Sequence, residues 1–455
     1  MTIINRGLLT EDAGELDPPD SELLRAPWSV PGTALHTDLY HVDAAYIAWK
    51  SGHNGRATFD LYTRSAPFAG GFMLVAGLEP ALDYLRSFIY TDDDLAYLER
   101  IKGYESDFLD YLSSIRFTGE ILAMREGEIA FPNEPLMRVT APFAEALLLE
   151  SGLLRAIGVS TLLATKAARI HIAAQGRSVS DFAFRRAHDP YLAARSGYIG
   201  GCDSTSFVAA AKDYDIPSAG TIPHALVQAF PDELAAFRAV AEVMPTYTLL
   251  LDTYDVRRGI THAIQVAHEA RASHGHRLAA VRLDSGDLDE YKIERLLTAG
   301  APIDGFGVGG NLGVGLGTIA SGTVGGVIGA VYKLAWYEGD GAAPARIKLA
   351  GGKSTWPGRK QPYRIGAFER DVIALDDETP PRDGRPLLQP FIRDGHIVGE
   401  ISDLKAIRAR ALASLDALPE RTRALTPEEP YPVDWSRGMI QLRDDTIAAI
   451  SRTNV

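Results

Sequence analysis

The chain has 455 residues, 46% hydrophobic and 23% charged, the balance of a soluble globular protein with room for two or three domains. Its 46 Lys and Arg against 59 Asp and Glu leave a formal net charge of −13. That disfavours nonspecific binding to nucleic acid or an anionic membrane surface, but leaves room for a local basic pocket. The single cysteine, Cys202, excludes an intrachain disulfide and fits a reducing, cytoplasmic location.

Residues 1 to about 33 are acidic and proline-containing and read as an arm. They lack a basic start followed by an apolar run of signal-peptide length. No stretch approaches the ~18 uninterrupted apolar residues of a membrane span. The run Gly322 to Tyr337 is glycine-rich, carries Lys333 and predicts a buried strand. After the arm, ALHTDLYHVDAAYIAWKSG predicts a helix and RATFDLYTRSAPF alternates like a strand. Residues from about 90 to 118 read as helical. ILAMREGEIAFPNEPLMRVTAP predicts short strands with a turn at Phe131 to Pro135. EALLLESGLLRAIGVSTLLATKAARIHIAAQ is apolar at helical spacing.

Beyond it the rhythm changes. SVSDFAFRR, IPSAG, TYTLLLDTYD, LAAVRLDSGDL, IDGFGVGGN and VIGAVYKLAWYE alternate with helical runs. Such alternation argues for parallel strands with crossover helices, in a barrel or an open sheet. Arg185, Asp252, Asp255, Arg282, Asp284, Asp287 and the Gly307 to Gly310 turn follow the apolar part of these strands. In a barrel that is the catalytic rim, and in an open sheet the crevice beyond the strand ends. From about 346 to 400 the chain returns to short strands and turns, and SDLKAIRARALASLDAL predicts an amphipathic helix.

Several of these stretches can carry chemistry. Asp284 and Asp287 end one strand, with Arg282 on the face of Asp284, and Asp252 and Asp255 end another. Paired carboxylates suit Mg²⁺ or sugar hydroxyls, although Asp-Ser-Gly-Asp also serves turns and helix caps. FGVGGNLGVGLG frees backbone N–H groups to cradle phosphate, yet fits neither the P-loop nor the dinucleotide-binding spacing. Phe182 and Phe184 beside Arg185 and Arg186 offer a ring platform and a phosphate fork, or a core strand with surface arginines. Lys348, Lys353, Arg359, Lys360 and Arg364 form a cationic stretch that suits pyrophosphate or a solvated hairpin. His224, in IPSAGTIPHALVQAF, stands at the end of a Gly-Thr-Ile-Pro turn, as a cap or at the rim of a site.

TDLYHVDAAYIAW, ATFDLYTRSAPFAGGFMLVAGLE, FPNEPLMRV, FAFRRAH, YIGGCDSTS, AGTIPHA, LLLDTYDVRRG, VRLDSGDL, FGVGGNL and IKLAGGKSTWPGRKQPYR occur in this order. Together they resemble nicotinate phosphoribosyltransferase over residues 34 to about 440. The resemblance implies an irregular TIM-like α/β barrel at 151–340. It also implies a β-rich domain at 34–150, completed by 341–455. It further implies nicotinate and 5-phosphoribosyl 1-pyrophosphate as substrates, Mg²⁺ as cofactor and a homodimer with interface active sites. ATP would be a co-substrate, hydrolysed through a phosphohistidine.

By the same resemblance that histidine is His224. Tyr40 of the partner and Phe182 sandwich the pyridine ring, and Arg185 meets the phosphoribosyl donor. Asp252 and Asp284 face the ribose and metal-bound pyrophosphate, with Arg282 nearby and Lys353 also binding substrate. Gly307, Gly309 and Gly310 line the 5-phosphate pocket. Ser206 replaces the aspartate of nicotinamide-using relatives, which favours the acid substrate. Gly310, Ser204, Pro223 and Ala225 depart from the residues frequent in the family. Rival readings are a nicotinamide or quinolinate transferase, a metal-dependent hydrolase or aldolase on the same fold, and a noncatalytic homologue.

Overall fold

The computed structural model describes residues 33–283, 288–317, 326–339, 341, 343–349 and 354–453. Strand Arg56–Thr63 is the spine of its largest sheet. Of its RATFDLYT run, all but Arg56 and Tyr62 are buried. The sheet is antiparallel throughout, in the order Ala330–Glu338, Arg56–Thr63, Pro135–Pro142, Glu120–Met124, Leu388–Arg393, His396–Ile397. Strands from both ends of the chain therefore share one sheet. Phe59 stacks on Tyr332 across two of these strands, with ring centroids 4.7 Å apart. The core beneath adds Leu82, Phe108, Leu112 and Leu153 from helices, a large continuous apolar interior.

Helix Glu150–Ala174 runs through the molecule, and small side chains let its neighbours approach closely. Its threonines pair with backbone. Thr165 Oγ1 accepts from Leu74 N at 2.9 Å, and Thr161 Oγ1 donates to Ala76 O at 3.1 Å. Gly77, at φ +109°, abuts this helix, and a Cβ there would lie 2.3 Å from Ala156 O.

Charges are buried in pairs around the sheets. Lys360 Nζ donates to Asp60 Oδ2 at 2.7 Å. Arg364 holds Asp371 with two bonds of 3.1 and 2.6 Å, and Tyr431 OH donates to the same carboxylate at 2.9 Å. Lys360 and Arg364 belong to the stretch whose cations suited pyrophosphate by sequence. Both are consumed inside the protein, which corrects that reading for these two residues. A cation on a strand's inward face must find a carboxylate: Lys360 finds its partner 300 positions away, and Arg364 finds one seven residues on, across the next strand.

The β-α alternation yields parallel strands. Gly305–Val308, Ser178–Asp181 and Ser204–Thr205 form one group, extended by a parallel bridge from Thr205 to Ser218. Thr246–Leu250 and Arg277–Arg282 form another. Among the described residues no strand pairing joins the two groups into a closed barrel. IPSAG contributes only the Ser218 bridge. VIGAVYKLAWYE, expected to continue the alternation, instead supplies Ala330–Glu338 to the antiparallel sheet. Its alternating pattern specifies a strand but not the strand it pairs with.

Candidate active site

The parallel strands end together. Strand Ser178–Asp181 stops because the Asp181 carboxylate turns back on the chain. Oδ1 accepts from Ala183 N and Oδ2 from Thr205 Oγ1, both at 2.8 Å. Burial raises the pKa of this carboxyl, opposed by those two bonds. The turn places Phe182 over the neighbouring strand, where Phe182 N donates to Val308 O at 2.8 Å. Gly307 makes that placement possible, since a Cβ there would sit 2.4 Å from Phe182 Cε2. Gly309 and Gly310 follow. A Cβ on Gly310 would lie 3.2 Å from Arg186 Cδ, so the arginine stem occupies the space that a side chain at 310 would need.

Arg282 ends its own strand, and its guanidinium lies 5.4 Å from the Phe182 ring centre. The same group donates to Thr221 Oγ1 at 2.7 Å. Thr221 begins the turn that carries His224. Pro223 is extended, at φ −83° and ψ 157°, and His224 opens the short helix His224–Gln228. His224 Nδ1 is 3.0 Å from Thr253 Oγ1, and Nε2 is 3.9 Å from Asp252 Oδ1. Asp252 follows strand Thr246–Leu250, whose neighbour ends at Arg282, and Leu251 N donates to Arg282 O at 3.0 Å. Phe182, Arg282, His224 and Asp252 thus lie together beyond the ends of the parallel strands.

The remaining residues are placed less closely. Ser206 is half-buried beside them, its N–H donating to Asp181 O at 2.8 Å. Arg185 is exposed. Tyr40 is also exposed, and its ring packs on His41 rather than on Phe182. Partial burial, then Glu150 and Asp38, raise its phenol pKa. Asp255 caps helix Val256–His274 by accepting from Arg258 N at 2.9 Å, which is the turn-and-cap role. Asp284, Asp287 and Lys353 lie outside the described residues. Sequence reasoning passed over Asp181, Thr205, Thr221 and Thr253. Only Asp181 left a legible signal, an aspartate at a strand end two residues before the N–H it caps.

Asp252 supplies hard oxygen of the kind Mg²⁺ takes. No group of three or more metal-binding side chains gathers among the described residues, so a protein-only cage is not formed there. Among them, too, no helix is long and apolar enough to cross a membrane.

Residues 35–158 match the profile of the nicotinate phosphoribosyltransferase N-terminal domain, and residues 380–443 that of its C-terminal domain. The nicotinate phosphoribosyltransferase pncB2 of Mycobacterium tuberculosis is 38% identical over 88% of this chain and 91% of its own length. The chain belongs to the nicotinate phosphoribosyltransferase family. The Bacillus subtilis nicotinate phosphoribosyltransferase is 37% identical over 90% of this chain and 95% of its own. The fold is similar to that of human nicotinic acid phosphoribosyltransferase, with a TM-score of 0.77 and 27% identity over 90% of this chain and 99% of the other. A nicotinate-nucleotide pyrophosphorylase from Pyrococcus furiosus shares the fold at a TM-score of 0.63 and 24% identity, over 84% of this chain and 95% of its own.

Proposed function

We propose that the protein joins nicotinate to the phosphoribosyl group of 5-phosphoribosyl 1-pyrophosphate, releasing pyrophosphate, as a step of NAD salvage. The observation that carries this reading is Arg282, which links the Phe182 ring to the turn bearing His224. A flat aromatic platform, a cation and a histidine turn then face one reaction volume. The pyridine nitrogen uses its lone pair to form the bond to the anomeric carbon as the carbon–oxygen bond to pyrophosphate breaks. No general base is required. The work is alignment and stabilisation of a cationic sugar-like transition state and of the departing anion.

Phe182 stacks one face of the pyridine, and Tyr40 the other from the partner subunit of a homodimer. Ser206 tolerates the nicotinate carboxylate where an aspartate would repel it. Arg185 and Lys353 bind the phosphoribosyl donor, and Gly309 and Gly310 approach its 5-phosphate, with Gly307 clearing room for Phe182. Asp252 and Asp284 would face the ribose and hold Mg²⁺ at the pyrophosphate, and the cation, when bound, would supply positive charge against the leaving group.

His224 is the phosphoacceptor for coupled ATP hydrolysis. Thr253 fixes the imidazole's rotation through Nδ1. A phosphoryl group on Nε2 stands beside Asp252, and their like charges make the phosphorylated state reactive rather than stable. The two groups of parallel strands are two arcs of one irregular TIM-like barrel, and the antiparallel sheet belongs to a second β-rich domain. The protein works in the cytoplasm.

The test is product formation by purified protein with Mg²⁺ and the phosphoribosyl donor. Nicotinate, nicotinamide and quinolinate are supplied separately, each with and without ATP. Nicotinate mononucleotide from nicotinate alone, accelerated by ATP, is expected. Product from nicotinamide or quinolinate instead would transfer the reading to that base, and product from none would leave a noncatalytic homologue.

A further inference from the structure

Helix Leu39–Lys50 opens with two neighbouring rings in opposite surroundings. Tyr40 is 60% exposed, whereas His41 is 1% exposed. Among the described residues neither ring nitrogen of His41 has a hydrogen-bond partner. Its Nε2 lies 3.9 Å from Glu150 Oε2, beyond hydrogen-bond reach. With both polar atoms unpartnered, the imidazole serves here as a flat ring rather than as a hydrogen-bonding group. The ring contact it makes is with Tyr40, at a centroid separation of 3.9 Å and a tilt of 41°.

We infer that His41 is a positioning residue for substrate binding, its ring backing one face of Tyr40 so that the opposite face meets the pyridine of nicotinate. The inference rests on the role proposed above for Tyr40. Exposed tyrosines sample several rotamers, and stacking a substrate on one costs that freedom. A rigid ring behind it removes part of the cost before nicotinate arrives.

Three charged groups surround His41. Asp38 precedes the same helix and accepts from Ser151 Oγ at 2.5 Å. Glu150 comes from helix Glu150–Ala174, and Lys333, on strand Ala330–Glu338, is 3.8 Å from Glu150 Oε1. Burial lowers the imidazole pKa, Asp38 opposes this and Lys333 adds to it. Burial also raises the Glu150 pKa, against the pull of Lys333. Protonating His41 on acidification puts a charge in this buried setting and loosens the ring's fit against the tyrosine.

The test compares His41→Ala, His41→Phe and Tyr40→Ala in the full chain, with thermal midpoints recorded for each. His41→Ala is expected to raise the nicotinate KM about three- to tenfold, the size of one aromatic contact. Its kcat and its KM for the phosphoribosyl donor should stay within about twofold. His41→Phe should restore the nicotinate KM at neutral pH. It should also abolish the rise in KM that the wild type shows below the ordinary histidine range. A merely structural role would shift the thermal midpoint and all kinetic constants together and leave the pH profile in place, which would overturn the inference. So would a phenylalanine variant that fails to restore KM, and this arm decides even if the alanine variant does not fold. A Tyr40→Ala enzyme with unchanged nicotinate KM would overturn both the tyrosine's role and this inference. A raised KM in Tyr40→Ala with none in His41→Ala would overturn only the inference.

Discussion

Strands Arg56–Thr63 and Arg277–Arg282 both carry apolar residues and lie in opposite surroundings. Six of the eight residues in the first are buried, and none of the six in the second. Val281, next to Arg282, is 51% exposed. Around the antiparallel sheet charges are hidden in pairs: Asp60 with Lys360, and Arg364 with Asp371 on the neighbouring strands Lys360–Ile365 and Arg370–Leu375 of a separate four-stranded sheet. The parallel strands instead carry theirs to an accessible end, where Arg282, Asp252 and His224 meet. One region spends its polar groups on holding shape, and the other leaves them within reach of a ligand. A scaffold that is closed and over-determined can support a site that is open.

Breaking a pair in the closed region should give the largest effect. Lys360→Ala strands Asp60 in the interior and is expected to cost about 3–5 kcal/mol, read from denaturant unfolding. Activity per folded molecule should be unchanged. In the open region the balance reverses. Arg282→Ala removes the bond to Thr221 and the contact with Phe182, and should lower kcat/KM by about 10- to 100-fold, the worth of one charged hydrogen bond. Unfolding should shift by less than about 1 kcal/mol, as for a partly exposed side chain. Comparable stability losses in both variants would erase the distinction between the regions.

Substitutions at the site sharpen it further. Ser206→Asp places a carboxylate against that of nicotinate and should reduce kcat/KM for nicotinate by about tenfold or more, with nicotinamide less affected. His224→Ala should abolish stimulation by ATP while leaving ATP-independent transfer measurable. Retained stimulation would remove the phosphohistidine from the mechanism.

The smallest effect concerns Glu134, buried beside Asp371 and Arg364. Burial and the charge of Asp371 hold its carboxyl well above the usual glutamate range. The native state therefore keeps a proton that the unfolded chain releases as pH rises. Stability linked to this group is complete below the ordinary glutamate pKa and is lost as pH climbs through the raised native value. Glu134→Gln keeps the donor without the proton. Its thermal midpoint should match the wild type near about pH 4 and exceed it increasingly towards about pH 8. A parallel pH dependence in the two proteins would show that Glu134 is ionised in the fold.

The site was legible where local sequence decides geometry. A strand end followed by aspartate, arginine or glycine marks a rim, because side-chain alternation and turn chemistry are properties of a few consecutive residues. Arg282, Asp252 and the Gly307 to Gly310 turn were singled out that way and His224 by the proline turn before it, and the acidic composition on its own disfavours a nucleic-acid partner. Threonines 221 and 253 were not legible, since an isolated hydroxyl carries no spacing and gains its role only from the group it meets.

The sequence by itself determined the elements, the faces of the strands and the chemistry available at their ends. The tertiary structure decided which cations are internal, which strand Ala330–Glu338 joins, and why glycine stands at 307. Lys360 and Asp60 are separated by 300 positions along the chain, so nothing in their local surroundings announces the pair. Periodicity records how a segment meets an interior, whereas pairing, burial of charge and the contact of His41 with its surroundings depend on what the rest of the chain brings to meet it.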